Sequence, residues 1–405
     1  MDITRFPGGA VANVYLWYDP YKPAGPYDVS KTSPDQLWAW AQKVSDTPVV
    51  MFQTNPTTGN GNDPSSAKIT EWVNDAKAKS QNVLWEIGNE PDMHNGVTGT
   101  DAQMLAYYDA FNQQAQAIHA ACPTCTVMGP AIFTQGWNVG TLEEFIKHCD
   151  ANADAISIHV YMGNDGMGEQ LERQAAGNWL KQYEYLKTVT SKPIYITEWS
   201  VNVKPEWYHI GGRLEGAVNN ADMLGGFASS PTVVGHAFFG AVHTIWTNWG
   251  MFSDNGWADS RAIGGVDAHA SMVPMLQLWA TVMGREVIKV TNGGDPTQVN
   301  GWAHRRGDGS IQVMLINKMQ TESSVHVDFA GFDPTGHVVV VHELRGQYPL
   351  GSCPDTYCAQ YFYNGVLNAQ LTAADAPPPA ARTCAGPTVD LTLPGLSITV
   401  LDIAP

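Results

Sequence analysis

The chain has 405 residues, of which 44% are hydrophobic, 10% aromatic and only 15% charged, and such a composition excludes a largely disordered protein. Its formal net charge is −17, from 39 acidic and 22 basic residues, which disfavours nucleic acid and anionic membrane surfaces as partners. No segment approaches the roughly 18 uninterrupted apolar residues of a membrane-spanning helix.

Through the first 285 residues, apolar runs typical of strands alternate with helical stretches. After the segment ITRFPGG at 3–9, strands are predicted at 47–56, 82–91, 125–133, 155–163, 192–202 and 233–246, and helices near 66–80, 101–121, 142–149, 169–190, 216–229 and 270–283. This alternation predicts parallel βαβ units. Six or seven such units at this length predict an α/β fold, a (β/α)8 TIM barrel over residues 1–285.

The pattern of the sequence changes after Gly284. Segments such as SIQVMLINK, HVVVVHEL and SITVLDI alternate apolar and polar residues and are separated by Gly, Asp and Pro. Short alternating strands with frequent turns, and no helical stretch between them, predict a C-terminal β-sandwich domain over residues 286–405.

The cysteines bear on the compartment in which the protein works. They occur as two closely spaced pairs and two single residues: Cys122 with Cys125, Cys353 with Cys358, Cys149, and Cys384. The short, proline-containing loops around the pairs predict local disulfides, and we therefore expect a secreted or periplasmic protein whose leader has been removed. Free thiols, or a zinc site formed by the two pairs, are the alternatives.

Two glutamates lie at the ends of predicted strands, Glu90 in WEIGNEP and Glu198 in YITEWS. A carboxylate at the end of an apolar strand is costly unless it is paired or used, and the functional groups of a parallel barrel collect at the C-terminal ends of its strands. Three strand steps separate the two residues, so we expect them to face each other across the barrel mouth. Two carboxylates in that arrangement can cleave a glycosidic bond.

The motifs around these glutamates resemble those of the retaining glycoside hydrolases built on (β/α)8 barrels. In that clan an Asn-Glu-Pro follows strand four and a second glutamate closes strand seven. The segment WEIGNEPD is most similar to the heparanase/β-glucuronidase family, family 79. RFPGG at 5–9, PMLQLW at 274–279 and the predicted sandwich are similar to families 51 and 39. The resemblance implies a retaining O-glycosyl hydrolase.

The resemblance also implies roles for individual residues. Glu90 corresponds to the general acid/base and Glu198 to the nucleophile. Asn89 corresponds to the asparagine that binds the sugar 2-hydroxyl, and Arg5 corresponds to the arginine that keeps the nucleophile ionised.

His159 and Tyr161, in SIHVYMG, correspond to a strand-six pair in which the histidine shapes the sugar site and the tyrosine orients the nucleophile. Trp246 corresponds to the aromatic residue that floors the subsite of the attacked sugar. The alternative interpretation is that three of these residues are ordinary core residues, namely His159, Trp246 and Trp249. Other tryptophans near predicted strand ends are candidates for stacking on sugar faces: Trp137, Trp199, Trp207, Trp249 and Trp257.

The strand count departs from the clan pattern at the start of the chain. If Glu198 ends strand seven, then ITRFPGG is strand two, and nothing before it can form strand one. We therefore expect either a lost N-terminal segment or another element that closes the barrel.

Two other classes of function fit part of this pattern. A non-catalytic carbohydrate-binding protein would also use aromatic loops, but it would need neither glutamate. A metallohydrolase would use scattered histidines that form no short metal motif, namely His94, His159, His236 and His243. We expect an oligo- or polysaccharide substrate, cleaved at a uronic acid or in a neutral cell-wall glycan, and no cofactor or metal.

Overall fold

The computed structural model describes residues 3–7, 33–54, 56, 65–80, 83–92, 102–133, 139–161, 173–200, 214–238, 271–346, 361–367 and 377–405. The chain forms two compact units. The first contains Met1–Tyr161, Gln182–Trp199 and Pro231–Phe238, and the second contains Met162–Lys181, Ser200–Ser230 and Phe239–Pro405. The domain boundary between residues 285 and 286 stays a prediction. Within the described ranges, no helix is both long and apolar enough to cross a membrane.

A parallel sheet forms the centre of the first unit. Its strands pair in chain order, each with the next. They are β1 (Ile3–Phe6), β2 (Val49–Thr54), β3 (Val83–Ile87), β4 (Thr126–Phe133), β5 (Ala155–Tyr161), β6 (Ile194–Ser200) and β7 (Val233–Phe238).

The sheet curls until its first and last strands meet. Ile3 of β1 lies so near Gly235 of β7 that a Cβ at position 235 would be 2.5 Å from Ile3 Cδ1. Because packed atoms do not approach so closely, a larger residue at 235 would push β1 away. The sheet is therefore a nearly closed parallel barrel, and the predicted TIM-like fold is confirmed. The described residues supply seven of its strands.

Helices alternate with these strands in the described residues: α1 (Pro34–Val44), α2 (Ser66–Lys79), α3 (Ala102–Ala121), α4 (Val139–Cys149), α5 (Ala175–Val189) and α6 (Leu214–Ala228). On β3, Trp85 packs edge-on against Trp72 of α2, with 5.4 Å between the ring centroids. Phe52 of β2 contacts both tryptophans, at 5.2 and 5.6 Å. Strands β2 and β3 thus pack against α2 through one aromatic cluster.

Helix α1 was absent from the sequence-based prediction, although its start signal is present. Ser33 Oγ accepts a hydrogen bond from the Gln36 amide, and the Gln36 side chain accepts one from the Ser33 amide. Pro34 occupies the first turn, where its missing N–H costs nothing. A capping box with proline at its second position therefore marks the start of this helix.

In the second unit, a short helix α7 (Met272–Gln277) and a π-helical turn (Leu278–Val282) precede two antiparallel sheets. The large sheet contains β8 (Glu286–Ile288), β9 (Val299–Arg305), β10 (Ile311–Asn317), β12 (Val338–Gly346), β13 (Tyr361–Tyr363), β14 (Val366–Leu367), β15 (Ala380–Thr383) and β17 (Ser397–Ile403). The small sheet pairs β11 (Ser323–Asp328) with β16 (Thr388–Leu393).

One hydrophobic core joins the two antiparallel sheets. Val313 and Leu401 of the large sheet belong to the same buried cluster as Val389 and Leu393 of the small sheet. Side chains from two facing sheets that share a core are typical of a β-sandwich. The strands predicted after Gly284 are therefore confirmed as a C-terminal sheet domain.

A buried ion pair connects α6 to the large antiparallel sheet within the second unit. Lys318 Nζ donates to Asp222 Oδ2 at 2.5 Å, and the two side chains are 1% and 2% exposed. Asn300 and Trp302 donate to the other Asp222 oxygen at 2.7 and 2.8 Å. The charge of Asp222 is thus neutralised and hydrogen-bonded, as a buried carboxylate requires.

The cysteine predictions are answered in part. Cys122 and Cys125 form a disulfide in the turn between α3 and β4. Cys149 and Cys384 are buried free thiols. The other predicted pair, Cys353 with Cys358, lies outside the described residues.

Candidate active site

Glu90 has a strained backbone conformation just beyond β3. Its φ is +45°, in the left-handed region that residues other than glycine seldom adopt. The Glu90 amide donates to the carbonyl of Ala131 in β4 at 2.9 Å, and Ala131 itself has a φ of +54°. Such strain persists only where the surrounding structure imposes it, and it clusters at functional sites. The backbone of Glu90 is therefore held in this conformation by its hydrogen bond to β4.

Gly88 forms the turn that leads from β3 to Asn89 and Glu90. Its φ is +100°, and a Cβ there would lie 2.8 Å from Tyr107 Cε2 on α3. The Tyr107 hydroxyl donates to the Ile87 carbonyl at 2.7 Å, which holds the ring against the turn. Both the backbone angle and the lack of space require glycine at position 88.

The guanidinium of Arg5 connects four side chains of the site, those of Glu86, Glu198, Asn89 and His159. Its Nε donates to Glu86 Oε2 at 2.6 Å and its Nη1 to Glu198 Oε2 at 2.8 Å. Its Nη2 donates to Asn89 Oδ1 at 3.0 Å. Burial opposes the charged form, but Glu86 and Glu198 outweigh burial and raise the pKa of Arg5. Arg5 is therefore a fixed cation between two carboxylates.

His159 of β5 links Arg5 to Glu90. Its Nε2 lies 3.0 Å from Arg5 Nη2, and its Nδ1 lies 2.8 Å from Glu90 Oε1. Because arginine can only donate, Nε2 accepts in this arrangement and the ring proton on Nδ1 faces Glu90. Burial and Arg5 both disfavour a second proton, but the charge of Glu198 and the hydrogen bond with Glu90 outweigh them and raise the pKa of His159.

Glu198 of β6 is bonded at both carboxylate oxygens. The Tyr161 hydroxyl donates to Oε1 at 2.5 Å, and Arg5 binds Oε2. Burial, followed by the charge of Glu198, raises the pKa of Tyr161 well above its ordinary value, so the hydroxyl keeps its proton and acts as a donor. Glu198 itself is only 6% exposed. Two donors therefore hold this carboxylate in one orientation.

Glu90, His159 and Glu198 form a tight cluster at the barrel mouth. One oxygen from each glutamate and a ring nitrogen of His159 all lie within 4.8 Å of one another, a spacing at which three ligands could hold a metal ion. The donor atoms are already engaged, however, because Glu198 binds Arg5 and Tyr161 and His159 lies between Arg5 and Glu90. A guanidinium in direct contact also repels a cation, so these residues fit a metal poorly.

The structure brings together six of the residues selected from the sequence. All of them lie in the first unit, at or near the C-terminal ends of barrel strands: Arg5, Asn89, Glu90, His159, Tyr161 and Glu198. Glu90 follows β3 and Glu198 lies in β6, three strand steps apart as expected. The other selected residues, Trp137, Trp246 and Trp249, lie outside the described residues, as do Trp207, Trp257, His94 and His243.

The prediction that Trp199 lines a strand-end cleft was wrong. Trp199 is fully buried and packs against His236 and Phe238 of β7, with ring centroids 5.6 and 5.1 Å apart. Successive side chains of a strand point to opposite faces, so Trp199 turns away from the face that Glu198 occupies. His236 contacts Trp199 and is not part of the cluster around Glu90, which removes it from the suggested metal ligands.

Two residues of the site were missed from the sequence. Glu86 of β3 is completely buried and binds Arg5. Gln53 of β2 donates to the Gly88 carbonyl at 3.1 Å and approaches Asn89 Oδ1 at 3.4 Å. The signal for Glu86 was an acid inside the apolar run VLWEI, which is costly to bury without a partner.

The arrangement can bind and polarise a bond between two opposed carboxyl groups. Glu198 accepts hydrogen bonds from Arg5 and Tyr161. Glu90 accepts the Nδ1 proton of His159 at Oε1, which leaves Oε2 to carry a transferable proton. Two carboxyl groups in unequal surroundings are the equipment of acid-assisted cleavage of a glycosidic bond.

Several solved structures share the fold over the whole chain. A bifunctional glucanase-xylanase from a metagenome library matches with a TM-score of 0.66 and 16% identity, covering 100% of this chain and 92% of that one. A monomeric β-xylosidase from Caulobacter crescentus CB15 matches with a TM-score of 0.63 and 16% identity, and the match covers 100% of this chain and 90% of that one. A family 51 arabinofuranosidase from Xanthomonas axonopodis pv. citri matches with a TM-score of 0.66 and 15% identity, and the match covers 100% of this chain and 87% of that one. At these identities the likeness shows the fold alone.

Sequence comparison identifies the family. No curated protein matches the sequence. The family model described as glycosyl hydrolase catalytic core matches residues 22–265, which is more than half of the chain. The protein therefore belongs to the glycosyl hydrolase catalytic core family: it is an O-glycosyl hydrolase that acts on a carbohydrate, and not a non-catalytic binding protein.

Proposed function

We propose that this hydrolase retains the configuration of the sugar that it cleaves, with Glu198 as the nucleophile and Glu90 as the general acid/base. The observation that carries this proposal is the approach of the Glu90 and Glu198 oxygens to within 4.8 Å. Carboxyl groups of retaining enzymes lie about 5–5.5 Å apart, whereas inverting enzymes need about 6.5–9.5 Å to admit a water. The observed approach supports the retaining mechanism.

In the first step, Glu198 attacks the anomeric carbon while the bond from that carbon to the leaving oxygen breaks. Glu90 gives its proton to the leaving oxygen and becomes a carboxylate, and Glu198 becomes a glycosyl ester. In the second step, Glu90 takes a proton from a water molecule, the water oxygen attacks the same carbon, and Glu198 leaves as a carboxylate. Two inversions at one carbon give net retention.

The neighbouring residues support this sequence of steps. Arg5 and Tyr161 bind the two oxygens of Glu198 and keep it ionised and aimed. Asn89 Oδ1 accepts from Arg5, which leaves the Asn89 amide N–H groups to donate to the sugar 2-hydroxyl. The stacking roles of Trp137, Trp246 and Trp249 stay predictions.

For the substrate, we favour a neutral cell-wall glycan, cleaved by an arabinofuranosidase-like or β-glycanase-like activity. Among the described site residues Arg5 is the one permanent cation, and it is engaged by Glu86, Glu198 and Asn89. Among the described residues, a uronate would therefore meet a cluster of carboxylates and no free cation. The similarity of WEIGNEPD to family 79 makes a glucuronide the second candidate.

A panel of nitrophenyl glycosides tests both parts of the proposal. The panel contains the xyloside, the arabinofuranoside, the glucoside and the glucuronide, and proton NMR follows the anomer that is released first. We expect at least one neutral glycoside to be hydrolysed about tenfold faster than the glucuronide, with retention. Release of the inverted anomer would overturn the mechanism, and a preference for the glucuronide would overturn the substrate class.

We also propose that the protein works in an oxidising compartment, secreted or periplasmic. The Cys122–Cys125 disulfide supports this location. If Cys353 and Cys358 pair as well, thiol titration of the denatured, unreduced protein should find two free thiols, since two pairs account for four of the six cysteines. As a control against later oxidation, the thiols are alkylated during isolation. Alkylation of all six cysteines would contradict the proposal.

A further inference from the structure

We infer that Glu86 is a positioning residue that balances the charge of Arg5 and thereby sets the relative rates of the two chemical steps. Glu86 does not reach the substrate and acts only through Arg5. The inference rests on the double displacement proposed above.

Glu86 directs its charge to a single partner. Its side chain is 0% exposed, and Oε2 lies 2.6 Å from Arg5 Nε. Its other oxygen, Oε1, is buried and has no hydrogen-bond partner in the described part of the chain. Because no other donor disperses the charge of this carboxylate, the Glu86–Arg5 interaction is strong in the dry interior of the barrel.

The two catalytic glutamates stand in different relations to Arg5. Glu198 binds Arg5 Nη1 directly, at 2.8 Å. Glu90 is reached only through His159, whose two ring nitrogens bridge Arg5 and Glu90. A change in the effective charge of Arg5 therefore affects Glu198 more than it affects Glu90.

The reaction moves one negative charge from the nearer glutamate to the farther one. Before the first step Glu198 is a carboxylate and Glu90 holds the proton. In the glycosyl-enzyme Glu198 is a neutral ester and Glu90 is the carboxylate. A positive charge on Arg5 that nothing offset would hold the negative charge on Glu198 and oppose this transfer. Glu86 offsets that charge, which favours formation of the ester.

Replacement of Glu86 by glutamine removes the charge with little change of shape. The amide oxygen can still accept from Arg5 Nε, so the guanidinium keeps its orientation. Arg5 then stabilises ionised Glu198 more strongly, which makes Glu198 a poorer nucleophile and a better leaving group. We expect the first step to slow about tenfold or more and the second step to speed up.

The test uses a dinitrophenyl glycoside of the sugar that the panel shows to be hydrolysed fastest. Dinitrophenol is chosen as the leaving group because it needs no protonation. Stopped-flow release of dinitrophenol gives the rate of the first step. A deoxyfluoro-glycoside of the same sugar traps the ester, and its decay gives the rate of the second step. Glu71→Gln is the matched control, since Glu71 is half exposed and pairs with Lys68 on α2.

In Glu86→Gln we expect slower trapping and faster decay of the trapped ester, with an unchanged product anomer. Equal slowing of both steps would show a merely structural role, and unchanged rates of both steps would show no role. Either result would overturn the inference. If the wild-type protein forms no trapped ester, the double displacement itself fails, and the inference fails with it.

Glu86→Asp provides a second test and serves if the glutamine variant does not fold. Aspartate keeps the negative charge, but its side chain is one methylene group shorter, so the carboxylate lies farther from the Arg5 guanidinium. We expect the ratio of the two rates to lie between those of the wild type and Glu86→Gln. A ratio equal to that of Glu86→Gln, in a variant that keeps the charge, would show that the shape of the side chain and not its charge sets the two rates, and would overturn the inference.

Discussion

The Arg5 guanidinium lies 2.8 Å from the Glu198 carboxylate, although 193 positions separate the two residues in the chain. Their strands, β1 and β6, are five steps apart in the sheet order. In a flat sheet with strands about 4.8 Å apart, five steps would span about 24 Å. The contact therefore depends on curling of the sheet, which brings β1 next to β7.

Replacing Gly88 with alanine should lower both stability and activity. The new Cβ would lie 2.8 Å from Tyr107 Cε2, and a φ of +100° is strained for alanine. We expect a loss of about 1–3 kcal/mol in the free energy of unfolding and a fall in kcat/KM as Glu90 moves. Urea denaturation and steady-state kinetics measure the two effects.

Gly177→Ala is the matched control for Gly88→Ala. Gly177 lies in α5, where a Cβ meets nothing within 4 Å. Alanine in a helix should stabilise the protein by up to about 1 kcal/mol and leave kcat/KM unchanged. If both variants behaved alike, the turn at Gly88 would not impose the position of Glu90.

Replacing Lys318 with methionine should leave the Asp222 carboxylate buried without its cation. Because the two side chains are 1% and 2% exposed, we expect a loss of about 3–5 kcal/mol in the free energy of unfolding. Adding Asp222→Asn to Lys318→Met should restore much of that loss, since the uncompensated charge is then removed. Lys68→Met, which breaks an exposed pair with Glu71, should cost under about 1 kcal/mol. A loss of similar size in the two lysine variants would contradict this.

Stability should fall on the acid side of neutrality because of His236. Burial lowers the pKa of His236 to about 4, whereas an unfolded chain has a histidine pKa of about 6.5. Between these values the unfolded chain binds a proton that the folded chain does not, so stability is present above pH ~6.5 and is lost as the pH falls towards 4. The expected loss is at most about 3 kcal/mol.

His236→Phe tests this expectation because phenylalanine can pack against Trp199 and cannot titrate. Urea denaturation at about pH 7 and about pH 4.5 should show a smaller loss of stability in the variant than in the wild type. His326→Gln, at a side chain that is 60% exposed, is the control and should follow the wild type. An unchanged pH dependence in His236→Phe would assign the acid sensitivity to other groups.

Replacing Glu90 with alanine should affect substrates according to their leaving groups. Substrates with poor leaving groups need the Glu90 proton and should lose about 100-fold or more in kcat/KM. Dinitrophenyl glycosides should lose far less in the first step. Azide should partly restore turnover by entering the vacated space and attacking the glycosyl-enzyme, which NMR would detect as a glycosyl azide of retained configuration. Equal losses for both leaving groups would remove Glu90 from the acid/base role.

Much of this site was predictable because strand ends of a parallel barrel converge. Glu90 and Glu198 each follow an apolar run in a βα pattern, and that pattern alone places them at one mouth. The segments SIHVYMG and RFPGG then supplied His159, Tyr161 and Arg5 through resemblance. The structure adds the contacts among these residues, such as the bridge from Arg5 through His159 to Glu90.

Other features needed the structure for physical reasons. Glu86 lies inside a strand, and only the position of Arg5, 81 residues away, shows what balances its charge. Ala131, whose carbonyl holds Glu90, acts through its backbone, which no side-chain pattern reveals. Trp199 was predictable in principle, because a residue next to Glu198 in a strand has to face the other way.

The most direct test of the central claim is to identify the residue that becomes glycosylated. The enzyme is inactivated with a deoxyfluoro-glycoside of its preferred sugar, digested, and mapped by tandem mass spectrometry. Glu198 should carry one sugar, the label should be absent from Glu198→Gln, and Glu198→Gln should keep the wild-type melting temperature. A label on Glu90 or on any other residue, or persistent wild-type turnover by Glu198→Gln, would contradict the assignment of Glu198 as the nucleophile.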